Sequence, residues 1–119
     1  MRIEQINPDI PKGWYLGPWD SHLPISIGYA NEGVDEPHLH RRMTEVYLMA
    51  QGTVEMRIED ETVTLAAGQV IVVEPGEAHT FLSGSPDHVH FVLQVPGLTG
   101  QEAREDKITV SRSRLGLAE

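Results

Sequence analysis

Three histidines and one glutamate carry the most evident chemistry in this chain of 119 residues. The first two, His38 and His40, are two positions apart, so in an extended segment both side chains leave the same face, with Cα atoms roughly 6.5–7 Å apart. Imidazoles at that separation can bind one metal ion at about 2.0–2.1 Å from each nitrogen. After a short polar turn, Glu45 begins an apolar run and offers a carboxylate to the same space. The spacing therefore predicts three metal ligands from one hairpin.

A second stretch supplies a fourth candidate ligand. The β-branched run at residues 70–73 is followed by Pro75-Gly76 and then by His79, which begins another apolar run. A Pro-Gly pair favours a tight reversal, because proline fixes its own φ and glycine accepts a positive φ. We therefore expect His79 to enter the site from a neighbouring strand.

These two stretches resemble the two signature motifs of the cupin superfamily. Residues 33–52 follow the first motif, a glycine, His-x-His, glutamate and a closing glycine, although Gly33 lies one residue closer to the first histidine than usual. Residues 68–83 follow the second motif, with Glu74 where a proline often stands and Ser83 in place of a terminal asparagine. The resemblance implies an all-β fold, a double-stranded β-helix or jelly-roll barrel of short antiparallel strands.

The resemblance also implies a metal centre formed by His38, His40, Glu45 and His79. We expect one divalent transition metal per chain, and this ligand set suits Fe, Mn, Ni, Zn, Co or Cu without choosing among them. Four protein ligands in an octahedral sphere leave two positions for water, dioxygen or a chelating substrate. The alternative is a barrel that has kept its shape and binds no metal.

Composition limits the remaining classes of function. The length fits one domain, which we divide into an N-terminal arm (1–24), a barrel (25–96) and a C-terminal extension (97–119). The absence of cysteine favours a reducing cytoplasm. A net charge of −9 argues against a nucleic-acid partner, and no apolar run is long enough to predict a membrane span. We expect a small-molecule substrate or ligand.

Strand periodicity predicts the elements that position the ligands. Residues 53–59 alternate apolar and polar side chains, and turns recur every eight to twelve residues up to residue 96, which is typical of an all-β sandwich or barrel. Val46, Leu48 and Ala50 alternate with the inward positions and are also apolar. This outward apolar set predicts a cover on both faces of the strand, and from it we expect a homodimer.

The same periodicity predicts the substrate pocket. The residues expected to line it are Tyr47, Met49, Met56, Phe81, Phe91 and Leu93. No lysine is expected among them, and a phosphorylated substrate would need a cationic side chain to bind its phosphate. The expected lining therefore favours a small, fairly apolar compound that chelates the metal through adjacent oxygens. Tyr47 is the catalytic candidate, as a proton donor or orienting group, although such a tyrosine is equally often a core residue.

Two further sets of aromatic or histidine residues need an interpretation. The arm aromatics, Trp14, Tyr15 and Trp19, are expected to cover an end of the barrel or a partner subunit rather than to contact ligand. In the run from residue 88 to residue 95 the odd positions are all apolar, which predicts that His88, His90 and Gln94 point outward, with the two histidines as a surface or interface pair.

Three functions are compatible with these residues. The first is a small metalloenzyme of the dioxygenase type, favoured by the resemblance and by the expected apolar pocket. The second is a metal-dependent isomerase, lyase or decarboxylase that needs no dioxygen. The third is a non-enzymatic module that binds or senses a small molecule.

Overall fold

Ten short strands, one α-helix and one 3₁₀ helix make up the computed structural model, which describes all residues 1–119. The strands are β1 (Lys12–Leu16), β2 (Ser26–Ala30), β3 (His38–His40), β4 (Thr44–Gln51), β5 (Thr53–Ile58), β6 (Glu61–Ala66), β7 (Val70–Val73), β8 (His79–Gly84), β9 (Val89–Val95) and β10 (Lys107–Thr109). The helix α1 spans Gly100–Asp106, and the 3₁₀ helix spans Arg112–Leu115.

The strands form two five-stranded antiparallel sheets, in the orders β1-β2-β9-β4-β7 and β10-β3-β8-β5-β6. This arrangement confirms the predicted all-β fold. Strands β3 and β8, which carry the three candidate histidines, are neighbours in one sheet, whereas β4, which carries Glu45, lies in the other. The metal ligands are therefore contributed from both sheets.

The hydrophobic core lies between the sheets, beside the candidate ligands. Its buried members are Tyr47, Met49, Val54, Met56, Leu65, Val73 and Phe81. The alternation of β5 explains its share of this set, because Val54 and Met56 point inward while Thr53 and Glu55 do not. Met56 is completely buried.

Two glycines form the turns on which this geometry depends. Gly52 joins β4 to β5 with a φ of 72°, and Gly76 ends the Pro-Gly turn before β8 with a φ of 87°. These are left-handed conformations that other residues rarely adopt. The amide of Gly76 also donates to the carbonyl of His40 at 2.7 Å, so the turn is fastened directly to a ligand strand.

The outward face of β4 and its neighbours is apolar, as expected. Val46 and Leu48 are half-buried there, and Val70, Val72 and Val95 are exposed. In register, Val46 pairs with Val72 and Leu48 with Val70, which makes this face continuous across two strands. The homodimer stays a prediction.

Both ends of the chain differ in part from what the sequence indicates. The alternating start at Ile3 and Ile6 indicates an edge strand there, but the N-terminal edge strand of the structure is β1, at Lys12–Leu16. The β-branched residues 108–110 leave open an edge strand or a frayed end; the structure has the edge strand β10, paired with β3, and the helix α1 before it was not predicted. Its sequence is polar on nearly every side and therefore has no apolar period. With seven residues α1 is the longest helix, and no helix of the structure is long and apolar enough to cross a membrane.

Candidate metal centre

The four predicted ligands meet around one carboxylate oxygen. Glu45 Oε1 lies 3.0 Å from His40 Nε2, 3.0 Å from His79 Nε2 and 3.8 Å from His38 Nε2. The ligand atoms of His38, Glu45 and His79 all lie within 4.8 Å of one another. His40, Glu45 and His79 are buried, and His38 is partly open to the cavity described below.

The strand register explains this convergence. His38 and His40 leave the same face of β3, and His38 lies opposite His79 of β8. Residues directly opposite each other in an antiparallel pair share a face. Glu45 comes from the inner face of β4 in the opposing sheet, so the two sheets enclose the ligands.

Each imidazole is held through its other ring nitrogen. His38 Nδ1 donates to the carbonyl of Glu36 at 2.7 Å, and His79 Nδ1 donates to the carbonyl of Glu77 at 3.0 Å. His40 Nδ1 is 2.9 Å from the carboxylate of Asp106. A carbonyl or carboxylate can only accept, so these Nδ1 atoms carry the protons. In the neutral rings the Nε2 lone pairs are therefore free for a metal.

The electrostatics of this cluster fit a cation. Three Nε2 lone pairs and a carboxylate oxygen face one point, and such an arrangement is favourable only with a proton or a metal ion among them. Burial would lower the pKa of His40, but the carboxylates of Glu45 and Asp106 outweigh it and raise the pKa. Burial would raise the pKa of Glu45, but the three imidazoles hold that pKa well below its usual range. The residues present therefore fit a divalent metal ion.

Two further side chains orient the carboxylate of Glu45. The hydroxyl of Tyr47 donates to Oε1 at 3.1 Å and lies 3.3 Å from His79 Nε2, while the amide of Gln94 donates to Oε2 at 3.2 Å. Burial, and secondarily the charge of Glu45, raises the pKa of Tyr47 well above its usual value. Tyr47 is therefore a neutral hydrogen-bond donor at this site.

A cavity of about 690 Å³ opens beside the ligands. Its polar lining includes His38, His40, Glu45, Tyr47, His90 and Gln94. Its apolar lining includes Trp14, Trp19, Val34, Phe81, Val92 and Leu98. Both tryptophans are about half exposed, which places them near the opening rather than in a core. Lys12 and Lys107 also line the cavity, so the expectation that no lysine would do so is wrong.

The structure separates the six predicted pocket residues into three pairs. Tyr47 and Phe81 line the cavity, as expected. Met49 and Met56 point inward but belong to the packed core, where neither lines the cavity. Phe91 and Leu93 are opposite Leu48 and Val46, so they lie on the outer face of the sheet.

The predicted orientation of β9 is therefore wrong. Its inward residues are His90, Val92 and Gln94, which pair with Met49, Tyr47 and Glu45 of β4. The apolar odd positions lie on the outer face of the sheet, where the ring of Phe91 lies 5.9 Å from that of Tyr29 on the neighbouring strand β2 and Val95 is exposed. Hydrophobic alternation identified the apolar face of β9, which is the outer one, while the interior face at this level forms the more polar wall of the cavity.

His88 and His90 form a buried pair rather than the predicted surface pair. Their exposed fractions are 1% and 3%, and His88 Nε2 is 2.7 Å from His90 Nδ1. The ring of His90 stacks on Phe81 at a centroid distance of 4.8 Å. Burial, together with the neighbouring His88, lowers the pKa of His90 to about 4. His90 is therefore neutral at pH 7 and presents an uncharged ring to the cavity.

This pair predicts a pH-dependent stability. The unfolded chain takes up a proton at His90 near pH 6.5, whereas the folded protein does so only near pH 4. The stability contributed by the neutral ring is thus present above pH 6.5 and is lost as the pH falls toward 4. This loss amounts to about 3 kcal/mol.

Urea unfolding between pH 7 and pH 4.5 measures this effect, because most carboxylates titrate below that range. We expect the slope of unfolding free energy against pH to flatten in His90→Phe, which keeps a flat ring against Phe81. The matched control is His22→Ala, which removes an exposed histidine and should keep the wild-type slope. An unchanged slope in His90→Phe would refute the assignment.

Two residues of the site were missed from the sequence. Gln94 was assigned to the outer face with the rest of its parity set. Asp106 lies in a charged C-terminal stretch with no feature that separates it from its acidic neighbours, yet its exposed fraction is 2%. Gln94 is opposite Glu45 in the structure, and this register would have identified it as a site residue. The register cannot be read from the sequence without knowing which strands pair. For Asp106 the sequence holds no comparable signal.

Solved structures of other proteins share this fold. Pac13, a nucleoside dehydratase from Streptomyces, matches with a TM-score of 0.65 at 16% identity, over 84% of this chain and 78% of that chain. KdgF from Halomonas sp. matches with a TM-score of 0.62 at 22% identity, over 82% and 88% of the two chains. A cupin 2 conserved barrel domain protein from Salinispora arenicola matches with a TM-score of 0.64 at 14% identity, over 80% and 88%.

Sequence comparison defines the family. No curated protein sequence matches the chain significantly. The cupin domain family model, however, matches residues 26–95, from the start of β2 to the end of β9. These residues include all four candidate ligands and more than half of the chain. Because the match and the two-sheet barrel agree, the chain belongs to the cupin domain family.

Proposed function

We propose that this protein is a mononuclear metal-dependent enzyme that catalyses an elimination or isomerisation on a small hydroxylated compound. His38, His40, Glu45 and His79 would hold one divalent transition-metal ion per chain. The observation that carries the proposal is that all three Nδ1 atoms have acceptors, so that three Nε2 lone pairs and one carboxylate face a common point beside a cavity. Such a donor set accepts Fe, Mn, Ni, Zn, Co or Cu.

The cavity wall supports proton-transfer chemistry. When bound, the metal ion would supply Lewis acidity toward a substrate oxygen. Tyr47 holds a proton at its hydroxyl, directed at Glu45 Oε1, and the neutral ring of His90 can accept or donate a hydrogen bond. Gln94 fixes the second oxygen of Glu45 and so keeps the carboxylate oriented. These groups can remove or deliver a proton within a partly enclosed site.

The lining indicates the class of substrate. The cavity combines polar groups near the ligands with two half-exposed tryptophans farther out, which suits a compound with hydroxyl or carbonyl oxygens at one end and a planar or apolar part at the other. Pac13 acts on a nucleoside and has been solved with uridine. Dehydration is an elimination, so the activity of this relative agrees with the proposed reaction class. Uridine and simple β-hydroxy carbonyl compounds are therefore the first substrates to test.

The test of the proposed function is turnover of such a panel by metal-loaded protein, with and without dioxygen. We expect product in the absence of dioxygen, detected as the new double bond or the rearranged carbonyl by ultraviolet absorbance and mass spectrometry. Binding of a panel compound without turnover would favour a binding or sensing module instead. Strict dependence on dioxygen would overturn the proposed reaction class.

Tyr47→Phe is expected to lower kcat by about 10²–10⁴-fold if the hydroxyl transfers a proton. The side chain is buried and packs edge-to-face on Phe81 at 5.3 Å, and phenylalanine keeps that contact. Metal content measured on the same preparation separates lost chemistry from lost metal. A kcat within twofold of the wild-type value would remove Tyr47 from the mechanism and return it to the role of a core residue.

An oxygenase is the second candidate. The observation that favours it is the apolar share of the lining, with Phe81, Val92 and Leu98 among the cavity residues. Four of the six residues that first suggested an apolar pocket do not line the cavity, however, and several of the actual lining residues near the ligands are polar. The geometry therefore supports proton-transfer chemistry more strongly.

A further inference from the structure

Strand β3 carries two of the ligands and is only three residues long. Its pairing with β8 has a single register position, His38 opposite His79. On its other edge β3 pairs with β10 over its full length, with Lys107, Ile108 and Thr109 opposite His40, Leu39 and His38. The amides of Arg41 and Val110 extend this contact by donating to the carbonyls of Asp106 and Pro37, at 2.9 and 3.0 Å. The ligand strand is therefore held largely by residues 100–110, which we call the C-terminal segment.

Asp106 links this segment to a ligand directly. Its Oδ2 accepts from His40 Nδ1 at 2.9 Å, and its Oδ1 accepts from the backbone amide of Arg42 at 2.6 Å. Burying a carboxylate is costly unless its oxygens are satisfied, and here each oxygen has a donor. The effect on His40 is specific, because a carboxylate at Nδ1 fixes the proton there and leaves Nε2 as the metal-binding atom.

The same segment is also a wall of the cavity. Three of its residues line the cavity that three of the ligands also line: Gly100, Ala103 and Lys107. Lys107 in addition pairs with the carboxylate of Glu36 at 2.8 Å, and the carbonyl of Glu36 is the acceptor for His38 Nδ1. This exposed ion pair adds little by itself. Through Glu36, however, it links the segment to a second ligand, His38.

We propose that the C-terminal segment, which lies outside the region matched by the family model, is a working part of the metal centre, with Asp106 as its positioning residue. This inference rests on the proposed metal site and adds a regulatory consequence. Because the segment holds His40 in its metal-binding tautomer, docking of the segment favours binding of the metal, and since linkage is reciprocal, binding of the metal favours docking of the segment to the same extent. Loss of the metal therefore loosens the packing of the segment, and displacement of the segment lowers the affinity for the metal.

The test is the substitution Asp106→Asn, compared with Glu105→Gln. Asparagine keeps the shape but has one acceptor, so its amide group must face either His40 Nδ1 or the amide of Arg42. Glu105 lies in the same helix, is exposed and bonds only to Gln101, so its replacement controls for the loss of one charge. We expect Asp106→Asn to weaken Zn(II) binding by about 10–100-fold in competition with a chromophoric chelator. Glu105→Gln should bind as the wild type does.

Two further measurements keep the outcome decisive. In nitrogen-15 NMR of the metal-free proteins at alkaline pH, where the ring is neutral, His40 should carry its proton at Nδ1 in the wild type and lose that preference in Asp106→Asn. In wild-type protein, Zn(II) should slow amide hydrogen exchange across residues 100–110. Equal Zn(II) affinity in all three proteins, or exchange in the segment that is unaffected by Zn(II), would overturn the proposal. Failure of the wild type to bind Zn(II) or any other metal would refute the proposed metal centre, while the His40 tautomer would still decide the role of Asp106.

Discussion

Glu45→Ala and His79→Ala should each lose most of their bound metal and remain folded. Loss of an outer-shell partner typically costs about 10–100-fold in metal affinity, and loss of a direct ligand should cost more. Glu45 is the point on which the three Nε2 atoms converge, and His79 is the ligand contributed by β8. Neither side chain belongs to the apolar core cluster, so we expect the barrel to persist. Metal per chain is measured by elemental analysis, and folding by circular dichroism.

The matched control for these variants is His88→Ala. His88 is as deeply buried as His79, and its hydrogen bond is made to His90 rather than to a ligand. Its removal should leave the metal content unchanged. Full metal occupancy in both Glu45→Ala and His79→Ala would contradict the four-ligand site, and loss of metal in His88→Ala would extend the site to β9.

Metal removal is expected to lower stability strongly. A ligand that binds only the folded state stabilises it by about 4 kcal/mol when its free concentration is a thousand times Kd. For a chain of this size that corresponds to a rise in Tm on the order of 10 °C. The physical cause is local: without a cation, Glu45 and three imidazoles with inward lone pairs are held together at buried or half-buried positions.

Differential scanning calorimetry with and without chelator measures this effect. The metal-dependent rise in Tm should be present in the wild type and absent in Glu45→Ala, because that variant lacks the carboxylate on which the site depends. An equal Tm for metal-loaded and chelator-treated wild type would contradict the account. A rise of the same size in Glu45→Ala would place the bound metal elsewhere.

The parts of the fold that were predictable are those encoded by short-range pattern. The spacing of His38, His40 and Glu45 and the Pro-Gly turn before His79 are local signals, and all four side chains meet as predicted. The alternation along β5 likewise placed Val54 and Met56 on one face, which points inward, although Met56 lies in the core and not in the predicted pocket. These signals need no knowledge of which strands pair.

The errors arose where long-range pairing determines the outcome. In β9 the more apolar face is the outer one and the inner face carries His90 and Gln94, so hydrophobic alternation selected the wrong face as the interior. This choice reversed Phe91, Leu93, His90 and Gln94 together, because a change of parity turns every side chain of a strand over. Asp106 depends on the return of the chain to β3, 66 residues after His40, which no local pattern encodes.

The most direct test of the account is the metal content of untagged protein purified without chelators and then reconstituted with Fe(II) under anaerobic conditions. We expect one divalent transition-metal ion per chain, before or after reconstitution, and loss of that ion in Glu45→Ala. Protein that is folded but retains no stoichiometric metal after reconstitution with Fe(II), Mn(II), Ni(II), Co(II), Cu(II) or Zn(II) would contradict it.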